Sequence, residues 1–148
     1  MNSDSNNILT NEITLVTGAS RGIGAGIAKL FGESGSYIIG TSTTHEGAEA
    51  ITRVLNNDGS EGEGIVLDVS NSDNVNLTMK DLKKRSLLPS ILINNAGISL
   101  ESLLMRIKDE DWQKIIDTNL SSAFFLCKSA VPGMMKNRKG RIINIGSV

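Results

Sequence analysis

The chain has little with which to cross-link itself or grip a metal. One cysteine, Cys127, and one histidine, His45, occur in 148 residues. No intramolecular disulfide can form, no Cys/His pattern of zinc-binding type exists, and a reducing compartment is the natural setting. Charge of one sign is also missing in excess: 15 Lys and Arg against 16 Asp and Glu leave a formal net charge of −1. That excludes the whole-protein attraction to phosphate that marks nucleic-acid binders. No apolar run is long enough to cross a bilayer. Residues 1–11 are polar, with neither a basic n-region nor an apolar stretch, so they do not read as a signal peptide but as a mobile N-terminal tail. A cytoplasmic protein is expected, or one of an organellar stroma or matrix if the source is eukaryotic, with no membrane contact.

What is present is ordinary globular material, 39% hydrophobic and 21% charged, at single-domain length. Residues 13–17 form a short β-rich run that breaks into a glycine-rich turn at 18–24. Ile23, Ile27, Leu30 and Phe31 then recur at helical spacing. Further strands are predicted at 37–40, 65–69, 91–94 and 141–145, and helices at 46–55 and 72–85. Residues 109–137 read as one long helical region in which Pro132, without an amide hydrogen, should kink or unravel a turn. His45 is placed in a solvated loop and Cys127 in a buried helix face. Trp112, Phe124 and Phe125 read as core or subunit contact, and Asp109, Glu110 and Asp111 as charges that suit a helix start. The strict strand–helix alternation predicts an α/β fold, a doubly wound, Rossmann-like parallel sheet of five strands over residues 12–148. Such sheets bind ligands at the carboxyl ends of their strands. Candidate functional residues should therefore follow strands.

Gly18, Ala19, Ser20, Arg21, Gly22, Ile23 and Gly24 lie between the first strand and its helix, where a dinucleotide pyrophosphate can meet a helix N-terminus. Glycine there lets the backbone approach phosphate, although a tight turn alone would also use it. The spacing, G-x-x-x-G-x-G, resembles the fingerprint of the short-chain dehydrogenase/reductase family. Three more stretches resemble that family in the same order. Asn94-Asn95-Ala96-Gly97 is similar to its N-N-A-G motif, which implies a cofactor wall made by Asn95, Ala96 and Gly97. Asn119 matches the family's active-site asparagine, and Ser147 its catalytic serine. Singly, these residues are a turn pair, a solvated helix position and a strand cap.

Within the family, residues 102–112 and 134–148 resemble reductases that act on 3-oxoacyl thioesters of acyl carrier protein in fatty-acid synthesis. Acetoacetyl-CoA and other ketone reductases share much of this pattern and stay open, as does a catalytically silent nucleotide-binding or assembly module. The resemblance implies NADP(H) as cofactor, acyl carrier protein as partner, and a homotetramer joined through the long helix. The residues speak to cofactor choice directly. An NAD site usually ends its second strand on Asp or Glu, and residues 40–44 here read Gly-Thr-Ser-Thr-Thr. Arg21 can instead meet a 2′-phosphate, assisted by Thr41 or Thr43, with Asp68 and Val69 facing the adenine. The basic cluster Lys136, Arg138, Lys139 and Arg141 is a candidate dock for the acidic carrier, or simply a charged helix end.

The family's Tyr-x-x-x-Lys pair has no counterpart. The one tyrosine, Tyr37, lies in the second strand and cannot serve. In the family that tyrosine protonates the substrate oxygen while hydride arrives from the nicotinamide. The 148-residue chain is therefore expected to be inactive alone and, with its last strand uncovered, prone to aggregate.

Overall fold

In the computed structural model, which describes residues 7–147, the strands are β1 (Ile13–Val16), β2 (Tyr37–Ser42), β3 (Gly62–Val66), β4 (Ile91–Asn94) and β5 (Arg141–Asn144). The helices are α1 (Gly22–Glu33), α2 (His45–Asn57), α3 (Ser72–Lys84), α4 (Asp109–Ile116) and α5 (Ser122–Lys136), with a π-helical segment, Asp117–Ser121, joining the last two. All strands are parallel, in the order β3-β2-β1-β4-β5. The chain builds outward from β1 to β3, then returns to place β4 on the other side of β1. The loops after β1 and β4 diverge at that switch point and leave a crevice.

Strand periodicity explains why both sheet faces are covered. Side chains alternate between faces, so Leu15, Ile39 and Leu92 point into one core with Val75, Leu82, Leu126 and Ala130 of α3 and α5. Val16, Ile38 and Ile93 point into the other, with Ala28, Ile51 and Leu55 of α1 and α2. Each such large side chain contributes about 1.5–3 kcal/mol by leaving water. All four residues of β5, at the sheet edge, are exposed. No described helix is long and apolar enough to cross a membrane.

Three expectations need correction. The third strand begins at Gly62 and ends at Val66, not at 65–69. Glycine has poor strand propensity, yet these glycines are required by close approach: a Cβ on Gly64 would stand 1.9 Å from the Ala48 carbonyl oxygen, and one on Gly62 2.3 Å from that of Ile38. Asp68 and Val69 consequently lie in the loop after β3. His45 opens α2 rather than sitting in a loop, because the Thr44 hydroxyl caps the helix by accepting the Gly47 amide at 3.1 Å. Pro132 lies inside an uninterrupted α5, and the departure from α geometry comes earlier, at Asp117–Ser121. Cys127 is half-buried, with the Asn94 amide 3.6 Å from its sulfur.

Residues 1–6 of the expected tail lie outside the described residues. In the rest of it, the Leu9 amide donates to the Ser34 carbonyl at 2.9 Å and Leu9 packs against the α1–α2 core. At the start of β1, Ser90 donates to the Glu12 carboxylate at 2.5 Å and Lys139 pairs with it. Burial alone would raise the Glu12 pKa, but the bonds from Lys139 and Ser90, with the charges of Lys139 and Arg141, outweigh it and hold the carboxyl below its ordinary value. A depressed carboxyl stabilises the fold above its unfolded pKa, and that contribution disappears as pH falls through the folded one. Glu12→Gln is expected to cost about 1 kcal/mol at neutral pH. Denaturant melts of the two proteins should converge as pH falls through the depressed Glu12 pKa; a gap that persists in acid would show that the carboxylate charge is not the source.

Candidate functional site

The crevice at the switch point is assembled by side chains that bond one loop to the other. Thr17, buried at the end of β1, accepts the Asn95 and Ala96 amides on its hydroxyl at 2.9 Å each and donates to the Ile93 carbonyl at 3.3 Å. Asn95 returns the link, its side-chain amide donating to the carbonyls of Thr17 (2.9 Å) and Gly18 (3.2 Å). Gly18 turns at φ +64°, and a Cβ there would meet the Ala96 Cα at 3.1 Å. From the other side, Thr41 accepts the Gly18 amide on its hydroxyl (3.3 Å) and the Ala19 amide on its carbonyl (2.9 Å). The loop is thus held from β2 and β4 at once. Its outer arm is open: α1 has no side-chain cap and no acid in its first turn. The positive end of the helix is left for an anion.

A cleft of about 700 Å³ opens over this arrangement. Every residue expected at a cofactor lines it except Ala19 and Gly24, which lie behind the loop surface. Thr41 is only 1% exposed and its hydroxyl is committed to Gly18, so Thr43, on the exposed rim with Ser42, is the better placed of the two expected hydroxyls. Asp68 is steadied by its own turn, its carboxylate accepting the Ser70 amide (3.0 Å) and hydroxyl (2.6 Å). Lys114 and Thr118 form a wall that sequence reasoning missed. Their i, i+4 spacing puts both on one helix side, but nothing in the sequence says which side faces the crevice.

Asn119 lies in the π-helical segment. Its side-chain oxygen accepts the Ile98 amide and its nitrogen donates to the Ile98 carbonyl, both at 2.8 Å. It therefore fixes the strand of backbone leaving Gly97, where a Cβ would stand 3.3 Å from that same oxygen. Ser147 follows β5 at the carboxyl end of the sheet, although it does not line the cleft. The end of β5 is tied to β4 by the Asn94 amide, which donates to Asn144 at 2.8 Å. Tyr37 starts β2 beside Ile13, at the opposite end of the sheet. Burial and the neighbouring Glu63 and Glu61 push its pKa up. Arg138 and Lys139 precede β5 and Arg141 begins it, so all three also stand at the amino ends of the strands. Lys139 is engaged with Glu12, and the Arg141 guanidinium donates to the Gly140 carbonyl at 2.8 Å. The cleft offers open amides for a diphosphate, a cation at Arg21 and closely apposed glycine backbone. These fit a dinucleotide.

Residues 12–148 match the family model described as short chain dehydrogenase. The chain is 48% identical over 140 residues to the 3-oxoacyl-acyl-carrier-protein reductase FabG of Pseudomonas aeruginosa, covering 95% of this chain and 57% of that protein. It is 47% identical over 137 residues to the enzyme of the same name from Escherichia coli K12, covering 93% and 55%. Among solved structures, a metagenomic short-chain oxidoreductase in complex with NADP superposes with a TM-score of 0.90 at 33% identity, covering 95% of this chain and 64% of that one. The chain spans little more than half the length of the curated relatives it matches.

Proposed function

This chain belongs to the short-chain dehydrogenase/reductase family, and we propose on that basis that it is the cofactor-binding part of an NADPH-dependent reductase of 3-oxoacyl thioesters carried on acyl carrier protein. The observation that carries the cofactor half of this reading is the open glycine loop with Arg21 beside a second strand that ends without an acid. The nicotinamide, when bound, supplies hydride to the 3-oxo carbon. The chain's own residues do the holding. Amides of residues 20–22 and the start of α1 receive the diphosphate, Arg21 and Thr43 the 2′-phosphate, and Asp68 with Val69 borders the adenine. Asn95, Ala96 and Gly97 form the wall beside the nicotinamide ribose. Asn119 sets that wall through Ile98, and Ser147 takes the role of orienting the carbonyl. The carrier identity is supported by relatives at 46–48% identity that are named as reductases of 3-oxoacyl groups on acyl carrier protein.

The same reading includes a homotetramer and carrier contact at Arg138. Trp112 (57% exposed) and Phe124 (62%) supply apolar surface on α4 and α5 for a subunit contact. With Lys139 and Arg141 engaged internally, Arg138 and Lys136 are the members of the basic cluster left to meet a carrier, with Arg138 the chosen contact.

Cofactor choice tests the reading at its best-supported point. NADPH should bind more tightly than NADH, and Arg21→Ala should weaken NADPH about tenfold, in line with about 1.5–3 kcal/mol for a bond to a charged group, while leaving NADH nearly unchanged. Fluorescence titration of both cofactors measures this. Equal affinities in the unmodified protein would overturn the assignment of the 2′-phosphate to Arg21.

A further inference from the structure

Two cationic side chains line the cofactor cleft, Arg21 and Lys114, together with one carboxylate, Asp68. Arg21 has a use in the reading above and Lys114 has none. Lys114 also lines a shallow depression that adjoins the cleft, and Ser70 is the one other residue common to the two hollows. Ser70 is bonded through its amide and its hydroxyl to the Asp68 carboxylate. Lys114 therefore stands at the end of the cleft bounded by residues 68–70.

The acids around Lys114 do not take up its charge. Glu110 lies four residues before it, the favourable order for a helical pair, yet the ammonium is ion-paired with no described residue. Asp117, three residues on, instead accepts the Gln113 side-chain amide at 2.8 Å. A lysine in the last turn of a helix ordinarily offsets the negative helix end. Here the helical backbone runs on through Asp117–Ser121 into α5, so α4 has no free end at that point. Lys114 is exposed and holds nothing in the fold.

The donors and acceptors at this end match a purine base. Both bonds from Ser70 fall on one Asp68 oxygen, Oδ1, and the other oxygen has no hydrogen bond from a described residue. A carboxylate accepts and an ammonium donates. Adenine sets an exocyclic amino donor beside ring-nitrogen acceptors, so it calls for one wall residue of each kind. The phosphates are provided for elsewhere, at the start of α1 and at Arg21 with Thr43.

We propose that Lys114 reads the base of the dinucleotide, its ammonium donating to a ring nitrogen of the adenine. The assignment rests on the cofactor reading above and extends it. It adds a contact that NADPH and NADH share, whereas the partner of Arg21 is the 2′-phosphate.

The test is fluorescence titration of NADPH and NADH against the unmodified protein, Lys114→Met and Lys114→Arg, with circular dichroism as the fold control. Lys108→Met removes the same charge from an exposed position that lines neither hollow. Lys114→Met should weaken both cofactors by a common factor of about ten, the scale of one bond from a charged donor. Lys114→Arg, which keeps charge and donor, should stay within about twofold of the unmodified protein, and Lys108→Met should change neither affinity. A loss confined to NADPH would place the ammonium on the 2′-phosphate and overturn the assignment. An equal loss from Lys108→Met would reduce the effect to diffuse attraction of an anion and overturn it too. Adenosine, which carries no phosphate, separates the base from the diphosphate. Followed through the amide shifts of Asp68 and Val69, its affinity should fall in Lys114→Met by the same factor. Adenosine that leaves those amides unmoved, or binds both proteins equally, would overturn the contact with the base. If the unmodified protein takes up neither dinucleotide, the proposed function falls and this assignment with it. If it takes up both and Lys114→Met binds them as well, the proposed function stands and Lys114 has no part in it.

Discussion

A polypeptide of these 148 residues, supplied with NADPH and an acetoacetyl thioester, is expected to show no reductase turnover, since loss of the general acid of the tyrosine and lysine pair alone costs about 10²–10⁴-fold. The deficit is a proton donor at the substrate oxygen. Tyr37 cannot fill it on either of two counts. It begins β2, at the amino ends of parallel strands whose carboxyl ends form the cleft. Its hydroxyl is also pushed above its ordinary pKa by burial and by Glu63 and Glu61, the wrong direction for an acid that must donate near neutral pH. Absorbance at the reduced-nicotinamide band, on material whose mass is confirmed to end at Val148, measures the rate. Turnover equal to that of a complete family member would show that the acid lies within these residues and that Ser147 and Asn119 have been assigned to the wrong mechanism. Cofactor binding without turnover is also what a silent nucleotide-binding module would give. Joining the chain to a family segment that bears Tyr-x-x-x-Lys separates the two readings, because activity should return only if the serine and asparagine are in place.

Gly24→Ala is expected to weaken NADPH binding about 100-fold, although Gly24 does not line the cleft. A Cβ at this position would stand 2.3 Å from the Gly18 carbonyl oxygen and 2.5 Å from the Asn95 side-chain nitrogen. Neither can move cheaply, since one is backbone and the other is bonded to Thr17 and Gly18. Overpacking of this kind costs about 1–3 kcal/mol, and here it is released by distorting the loop that holds the phosphates. Gly26→Ala, two residues on in the same helix, is the matched control. Its Cβ meets nothing within 4 Å, so it should leave binding intact and stabilise α1 by about 0.5–1 kcal/mol. NADPH affinity that is equal in the two variants would show that the loop tolerates the displacement.

The legible parts of the chain are those in which one local pattern has one structural use. Three of the four residues in each of β1 and β4 are apolar and nearly all are buried, so their positions followed from composition. The glycine loop was readable because its residues serve backbone geometry that other side chains cannot adopt. β3 was misplaced because Gly62 and Gly64 obey a contact with β2 and α2 that propensity does not record. The π-helical segment was invisible for the complementary reason. Asp117-Thr118-Asn119-Leu120-Ser121 contains no helix breaker, whereas Pro132, a visible one, is absorbed within α5. Thr17 and Thr41 look like ordinary strand residues until the strand order places β1 between β2 and β4, when their hydroxyls become the links that hold the loop. The commitment of Lys139 to Glu12 likewise depends on two distant segments meeting at the amino ends of β1 and β5.

Amide chemical shifts followed during an NADPH titration test the central claim, that the crevice between the loops after β1 and β4 is a dinucleotide site. The amides of Gly18, Arg21 and Gly22, of Asp68 and Val69, and of Ala96 and Gly97 should shift together along one saturating curve, while those of Lys80, Lys83 and Arg138 stay fixed. Saturable binding that leaves the glycine loop unmoved and perturbs another surface would contradict it.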